Sequence, residues 1–184
     1  GLINYFYDKI PCIGDYKLNI FNSEGLHFMN KYCALSTLSV ELNRSEIKDI
    51  IKVLPKDLPV QVMVYGKIEL MVSEYCAVGS VLGGRSKDSN CKLNCTGAYT
   101  LKDRKGMEFV IRNDIYCRSH IYNSLPLDLI DYVKDLKDIG VTHFRYDFID
   151  EGYEETYNIA KAIMNNQSIG LANFTRGHYK RGVE

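Results

Sequence analysis

The sequence predicts a mixed α/β fold, and three observations carry that expectation. Short apolar strands alternate with helical stretches through residues 17–65, and the same rhythm returns after residue 124. Between them lies a Gly- and Cys-bearing segment, about residues 69–119, with neither period. The expectation is therefore one domain or fragment over residues 1–184 with an inserted cysteine-rich segment at 69–119.

Taken in order, Lys17-Leu18-Asn19-Ile20-Phe21 reads as the first strand, and Ser23 to Tyr32 as a helix capped by Asn22 or Ser23. Residues 34–39 give the next strand. Asn43-Arg44-Ser45-Glu46 opens a helix that places Ile47, Ile50, Ile51 and Leu54 on one face and stops at Pro55. Residues 60–65 form the clearest strand, ending at Gly66. Within the irregular segment, Glu108 to Arg112 reads as a strand after the turn Asp103-Arg104-Lys105-Gly106, which implies a small β insertion. Ser124 and Pro126 then start a helix carrying Ile130, Val133, Leu136 and Lys137, with Gly140 past its end. Residues 142–149 are the last strand, and a helix follows from Tyr153 to Asn165. The strands near 17–21, 34–39, 60–65 and 142–149 are expected to run parallel. Four or five such β-α units amount to half of an eight-stranded β/α barrel, or to a small open sheet. An open half-barrel leaves two strand edges exposed, so the chain is expected to cover an edge, dimerise or repack.

Composition narrows the function classes. The chain is 46% hydrophobic and 25% charged, with 23 basic and 23 acidic residues. No net field steers the whole molecule towards nucleic acid or an anionic membrane. No apolar run reaches the roughly 18 residues of a membrane span. Residues 1–11 lack the basic start and apolar centre of a signal peptide, and Gly1 in place of Met reads as a fragment. A cytoplasmic setting follows as the expectation. In that setting six cysteines point to thiol or metal chemistry before disulfides.

Cys76, Cys91, Cys95 and Cys117 fall in the irregular segment, spaced x14, x3 and x21. Four thiolates converging from loops suit zinc or an iron–sulfur cluster. No paired C-x2-C knuckle favours zinc, so the spacing leaves the metal open. Buried inert thiols are the bland alternative, and that reading suits Cys12 and Cys33, which flank strands among apolar neighbours.

Several stretches resemble successive signatures of the collagenase-like peptidases known as family U-thirty-two. They are residues 18–23, Leu38-Ser39-Val40-Glu41-Leu42, the run Gly66 to Cys76, Arg145-Tyr146-Asp147 and Thr175-Arg176-Gly177-His178-Tyr179-Lys180-Arg181-Gly182. They occur in family order along nearly the whole chain. The resemblance implies the later half of a β/α (TIM-like) barrel, without the Gly- and Cys-bearing signature of the earlier half. It also implies a [4Fe–4S] cluster on Cys76, Cys91, Cys95 and Cys117, as in relatives that hydroxylate RNA or a quinone precursor without oxygen. The implied partners are RNA or a small-molecule substrate, a protein substrate if the chain is a peptidase, and a second copy or the missing barrel half.

In a β/α barrel the site lies at the C-terminal strand ends. Asn22, Glu41, Tyr65 and Asp147 fall there and are the candidate substrate-binding residues, with N-capping and turn formation the alternative for Asn22 and Glu41. His178 joins them, because Gly177 and Gly182 free the backbone around it and Arg176, Lys180 and Arg181 supply positive charge for a phosphate or carboxylate. His27, His120 and His143 read as surface or strand residues. Three functions remain: a cluster-dependent hydroxylase, a protease, and a binding module with structural zinc. No G-x-S-x-G or H-E-x-x-H motif marks a protease, and no catalytic residue is assigned.

Overall fold

A computed structural model of the chain describes residues 1–86, 89–92, 95, 97–165 and 167–181. Two sheets organise them, one mostly parallel and one antiparallel. After a short helix α1 (Leu2–Phe6), the parallel sheet takes β1 (Ile13–Gly14), β2 (Leu35–Thr37) and β3 (Val60–Gly66) in sequence order. The helices α2 (Ser23–Met29) and α3 (Arg44–Lys52) connect these strands. The antiparallel sheet follows, built from β4 (Glu69–Ser73), β5 (Tyr99–Lys102), β6 (Glu108–Asn113) and β7 (Ser119–Tyr122), with helix α4 (Ala77–Val81) between its first two strands. The chain then returns through β8 (Leu127–Asp128), α5 (Val133–Asp138), β9 (His143–Asp147) and α6 (Tyr153–Met164).

Local chemistry explains the helices. Asn43 and Glu46 form a reciprocal capping box: the Asn43 side chain accepts the Glu46 N–H at 3.0 Å, and the Glu46 carboxylate accepts the Asn43 N–H at 2.8 Å. From that start α3 buries Ile47 and Ile50. Asn22 caps α2 through the Gly25 N–H at 2.8 Å, and α2 buries Leu26 completely. Both helices cover β3, the central strand, whose residues are all buried except Gln61. Gln61 accepts the Thr37 hydroxyl at 2.7 Å, so the polar pair inside the sheet is satisfied. Leu38, Met63, Val64 and Leu136 complete the same core, each such side chain contributing about 1.5–3 kcal/mol by leaving water.

β3 pairs in parallel with β2 and with β9, so three of the four expected strands are present and parallel. The expected strand at 17–21 is not. Tyr16–Leu18 forms a 3-10 turn, which Asp15 caps by accepting the Lys17 N–H at 2.8 Å and which ends at Asn19 in the left-handed region, φ 52°. Only Ile13 and Gly14 reach β2. The helix expected from Ser124 is also shorter. Leu127 and Asp128 pair antiparallel with Gly66 and Tyr65, and the Leu129 N–H goes to the Val64 carbonyl. Those backbone groups are committed to the sheet, and the helix begins only at Val133. No closed barrel forms among the described residues; the parallel strands make an open sheet. The expected β insertion is an antiparallel sheet that runs on to Tyr122, and the turn before β6 is closed by Asp103, whose carboxylate accepts the Lys105 and Met107 N–H groups.

Candidate functional site

Cys76 stands at the start of α4, 3% exposed, and its sulfur accepts the Gly79 N–H at 3.2 Å and the Asn113 side-chain N–H at 3.3 Å. Gly79 and Gly83 leave the space that Cys91 occupies. A Cβ on Gly79 would stand 3.0 Å from the Cys76 sulfur and 3.4 Å from the Cys91 sulfur, and one on Gly83 would collide with the Cys91 sulfur. Cys117 packs against the small cluster of Cys76, Val78 and Ile111. Burial pushes the Cys95 thiol up, and the nearness of Cys76, Cys91 and Cys117 pushes it further. Cys95 thus lies within electrostatic reach of the other three.

Backbone geometry marks the same residues. Among the described residues three non-glycines have a positive φ between the sheets and turns: Asn19, Cys95 at 51° and Cys117 at 61°. Such angles cost energy in a residue with a side chain and gather at functional sites. Asp114 supports the turn at Cys117: its carbonyl accepts the Cys117 N–H at 3.0 Å, and its carboxylate accepts the Tyr116 and Arg118 N–H groups, each at 2.9 Å. All six cysteines are free thiols. Among the described residues, no group of three or more His, Cys, Asp or Glu side chains is arranged as a metal site. By donor chemistry four thiols suit a thiophilic centre, and glycines stand at 79 and 83, where a Cβ would press on the Cys76 and Cys91 sulfurs.

A cavity of about 490 Å³ opens where β1, β2 and β3 end. Its wall includes Tyr16, Lys17, Glu41, Glu69, Asn123 and His178. Burial pushes the Tyr16 phenol up to about 12. Glu41, expected at a strand end, and His178, expected on a basic Gly-flanked segment, share this wall. The other three candidates do structural work. Asn22 caps α2. Tyr65 is 1% exposed and donates its hydroxyl to Glu151 at 2.9 Å; burial and that carboxylate hold its phenol far above the usual value. Asp147 pairs with Arg145 at 2.6 Å, and Arg145 also holds Asp15 at 2.6 Å while lying over the Tyr16 ring.

Lys17 and Glu69 were not singled out in the sequence. Lys17 sat inside an apparent strand, and Glu69 sat at the edge of an irregular segment. The closing basic segment is a strap rather than a loose tail. Thr175 bridges to Leu127, the Arg176 guanidinium donates to the Asp128 carbonyl and pairs with Asp131 at 3.4 Å, and Tyr179 is buried. Gly182 lies outside the described residues.

A model of peptidase family U32 matches residues 2–165. A protein described as a collagenase, from Porphyromonas gingivalis, is 27% identical over 158 residues, which cover 79% of this chain and 36% of that protein. The chain thus spans about a third of the length of that curated relative. No solved structure matches it.

Proposed function

The chain belongs to peptidase family U32, and from that premise we propose that Cys76, Cys91, Cys95 and Cys117 hold a [4Fe–4S] cluster in an enzyme of oxygen-independent hydroxylation. The reading is supported by the Cys76 and Cys91 sulfurs flanking Gly79, by glycines at 79 and 83 that leave room for sulfur, and by Cys95 feeling the charge of Cys76, Cys91 and Cys117. When bound, such a cluster supplies one-electron chemistry, tuned by hydrogen bonds to its sulfurs. Here Asn113 would orient Cys76, and the Asp114 turn would orient Cys117. The parallel strands β1, β2, β3 and β9 are read as an arc of a β/α barrel, whose reacting groups stand at the C-terminal strand ends. At that mouth Lys17 and His178 would bind the anionic part of an RNA or of a small carboxylate, and Glu41 and Asn123 would bind its hydroxyls.

A protease is the second reading, favoured by the collagenase name of the relative. Zinc would suit four thiolates equally well. Iron content separates these. The chain reconstituted with iron and sulfide without oxygen should hold about four irons, and Cys91→Ser should lose them. A wild-type chain that retains no iron sinks the cluster. In the longer protein, gelatin cleavage that persists in Cys91→Ser, with RNA hydroxylation unchanged, would favour the protease.

A further inference from the structure

A line of charged side chains runs from the mouth cavity to the cysteine turn. Lys17, half-exposed in the cavity wall, places its Nζ 2.8 Å from the Glu69 carboxylate. That carboxylate is 5% exposed and lies 3.0 Å from His120 Nδ1. An ionised carboxylate only accepts, so Nδ1 carries the proton of that bond. The other ring nitrogen, Nε2, is buried and stands 3.5 Å from Asp114 Oδ2, beyond ordinary hydrogen-bond length. Asp114 in turn closes the turn that sets Cys117 in the left-handed region.

Burial works against the Glu69 charge, yet Lys17 and His120 hold its carboxyl below the usual range. A buried ion pair of this kind adds little net stability over apolar packing. Its value lies in fixed geometry. His120 is central in that geometry, since β7 lies between β4 and β6 and pairs His120 with Val72 on one side and Arg112 on the other. The neighbouring residue on β6, Asn113, bonds both Ser119 and the Cys76 sulfur.

We propose that His120 is a positioning residue that couples the mouth cavity to the cysteine turn. An anionic ligand that draws Lys17 away from Glu69 shifts the load of that carboxylate onto His120. The shift passes through Asp114 to Cys117. The proposal rests on the reading of Cys117 as a metal ligand for only one of its two measurements.

The first measurement needs no metal. The reduced, metal-free chain is alkylated with iodoacetamide, and the rate at each cysteine is read by peptide mass. Lys17→Met, which touches no cysteine in the chain described above, should raise the Cys117 rate about fivefold and leave buried Cys33 unchanged. His120→Phe should raise it at least as much, and adding Lys17→Met to His120→Phe should change nothing further, because the path is already cut. His120→Asn, which keeps an N–H near the Nδ1 position, should restore part of the protection. If His120→Phe does not fold, Glu69→Gln with Lys17→Met provides the same cycle. An unchanged Cys117 rate in folded Lys17→Met, or additive effects in the double variant, overturns the proposal.

The second measurement titrates Co²⁺ alone and follows the thiolate-to-cobalt absorption. Lys17→Met should weaken cobalt binding about tenfold, as a change behind a ligand does. A wild-type chain without that absorption removes the metal reading, while the alkylation cycle still decides the coupling.

Discussion

Gly83 has room for a hydrogen and not for a methyl group. A Cβ there would press on the Cys91 sulfur and come within 2.9 Å of the Gly79 carbonyl oxygen, so backbone and thiol would both have to move. Gly83→Ala should therefore cost about 1–3 kcal/mol by overpacking and should lower iron or cobalt uptake more than Gly152→Ala, at an open position outside the left-handed region. Melting curves and metal titrations of the two variants check this. The four cysteines were legible in the sequence because thiols are rare and these share one Gly-rich stretch. Asn113, Asp114 and His120 were not. Their roles come from the pairing of β6 with β7, which brings Asn113 opposite Ser119 and Arg112 opposite His120. No spacing along the chain encodes that register. Tyr65 and Asp147 stand at strand ends as expected, and their partners Glu151 and Arg145 are contacts that a linear reading has no access to.

At the next scale, the closing strap is fixed to the helices by one carboxylate. Asp135 on α5 accepts two bonds from the Arg44 guanidinium at 2.5 Å and one from the Tyr179 hydroxyl at 2.9 Å. Arg44 holds its carboxyl below the ordinary range, partial burial works against this, and Tyr179 adds to it. A depressed carboxylate stabilises the fold above its ordinary value of 3.8 and loses that contribution as pH falls through the lower folded value. Resistance to urea should thus decline below about pH 4, and Asp135→Asn should flatten part of that decline. Tyr179→Phe, which removes a bond to a charged acceptor, should cost about 1–2 kcal/mol at neutral pH, read from urea midpoints. Removing the cap of α3 with Asn43→Ala should cost about 1 kcal/mol by the same measurement. The caps of α2 and α3 and the periodic face of α3 were legible because helices signal locally. The two misleading stretches differ. Residues 17–21 close a local turn, with the Leu18 and Asn19 N–H groups bonded to Asp15 and Tyr16 and with Leu18 and Phe21 exposed. In 124–132 the buried Leu127 and Leu129 flank backbone bonds that go to distant Thr175 and Val64. Hydrophobicity announces burial there and not the element that achieves it.

For the whole molecule, the open edges of the parallel sheet decide how the chain behaves alone. No strand among the described residues pairs with the outer side of β1 or of β9. Ile13, on β1, is 65% exposed, and Leu2, Tyr5 and Ile10 in the segment that precedes it are each more than half exposed. Unpaired N–H and C=O groups next to apolar side chains template pairing with another chain. The chain spans only 36% of the relative it matches, so in a longer protein these edges have further polypeptide at hand. In isolation a second copy is the available partner. Sedimentation equilibrium should show association that rises with concentration, and Ile13→Lys should weaken it about tenfold by placing a charge on the edge. The core should not notice the change, because the Ile13 side chain faces solvent, so circular dichroism and melting should match the wild type. A chain that stays monomeric at high concentration would show that β1 and β9 are protected without a partner. An Ile13→Lys chain that still associates would move the contact elsewhere, with Leu70, Met71 and Val72 on the exposed edge strand β4 as the next residues to charge.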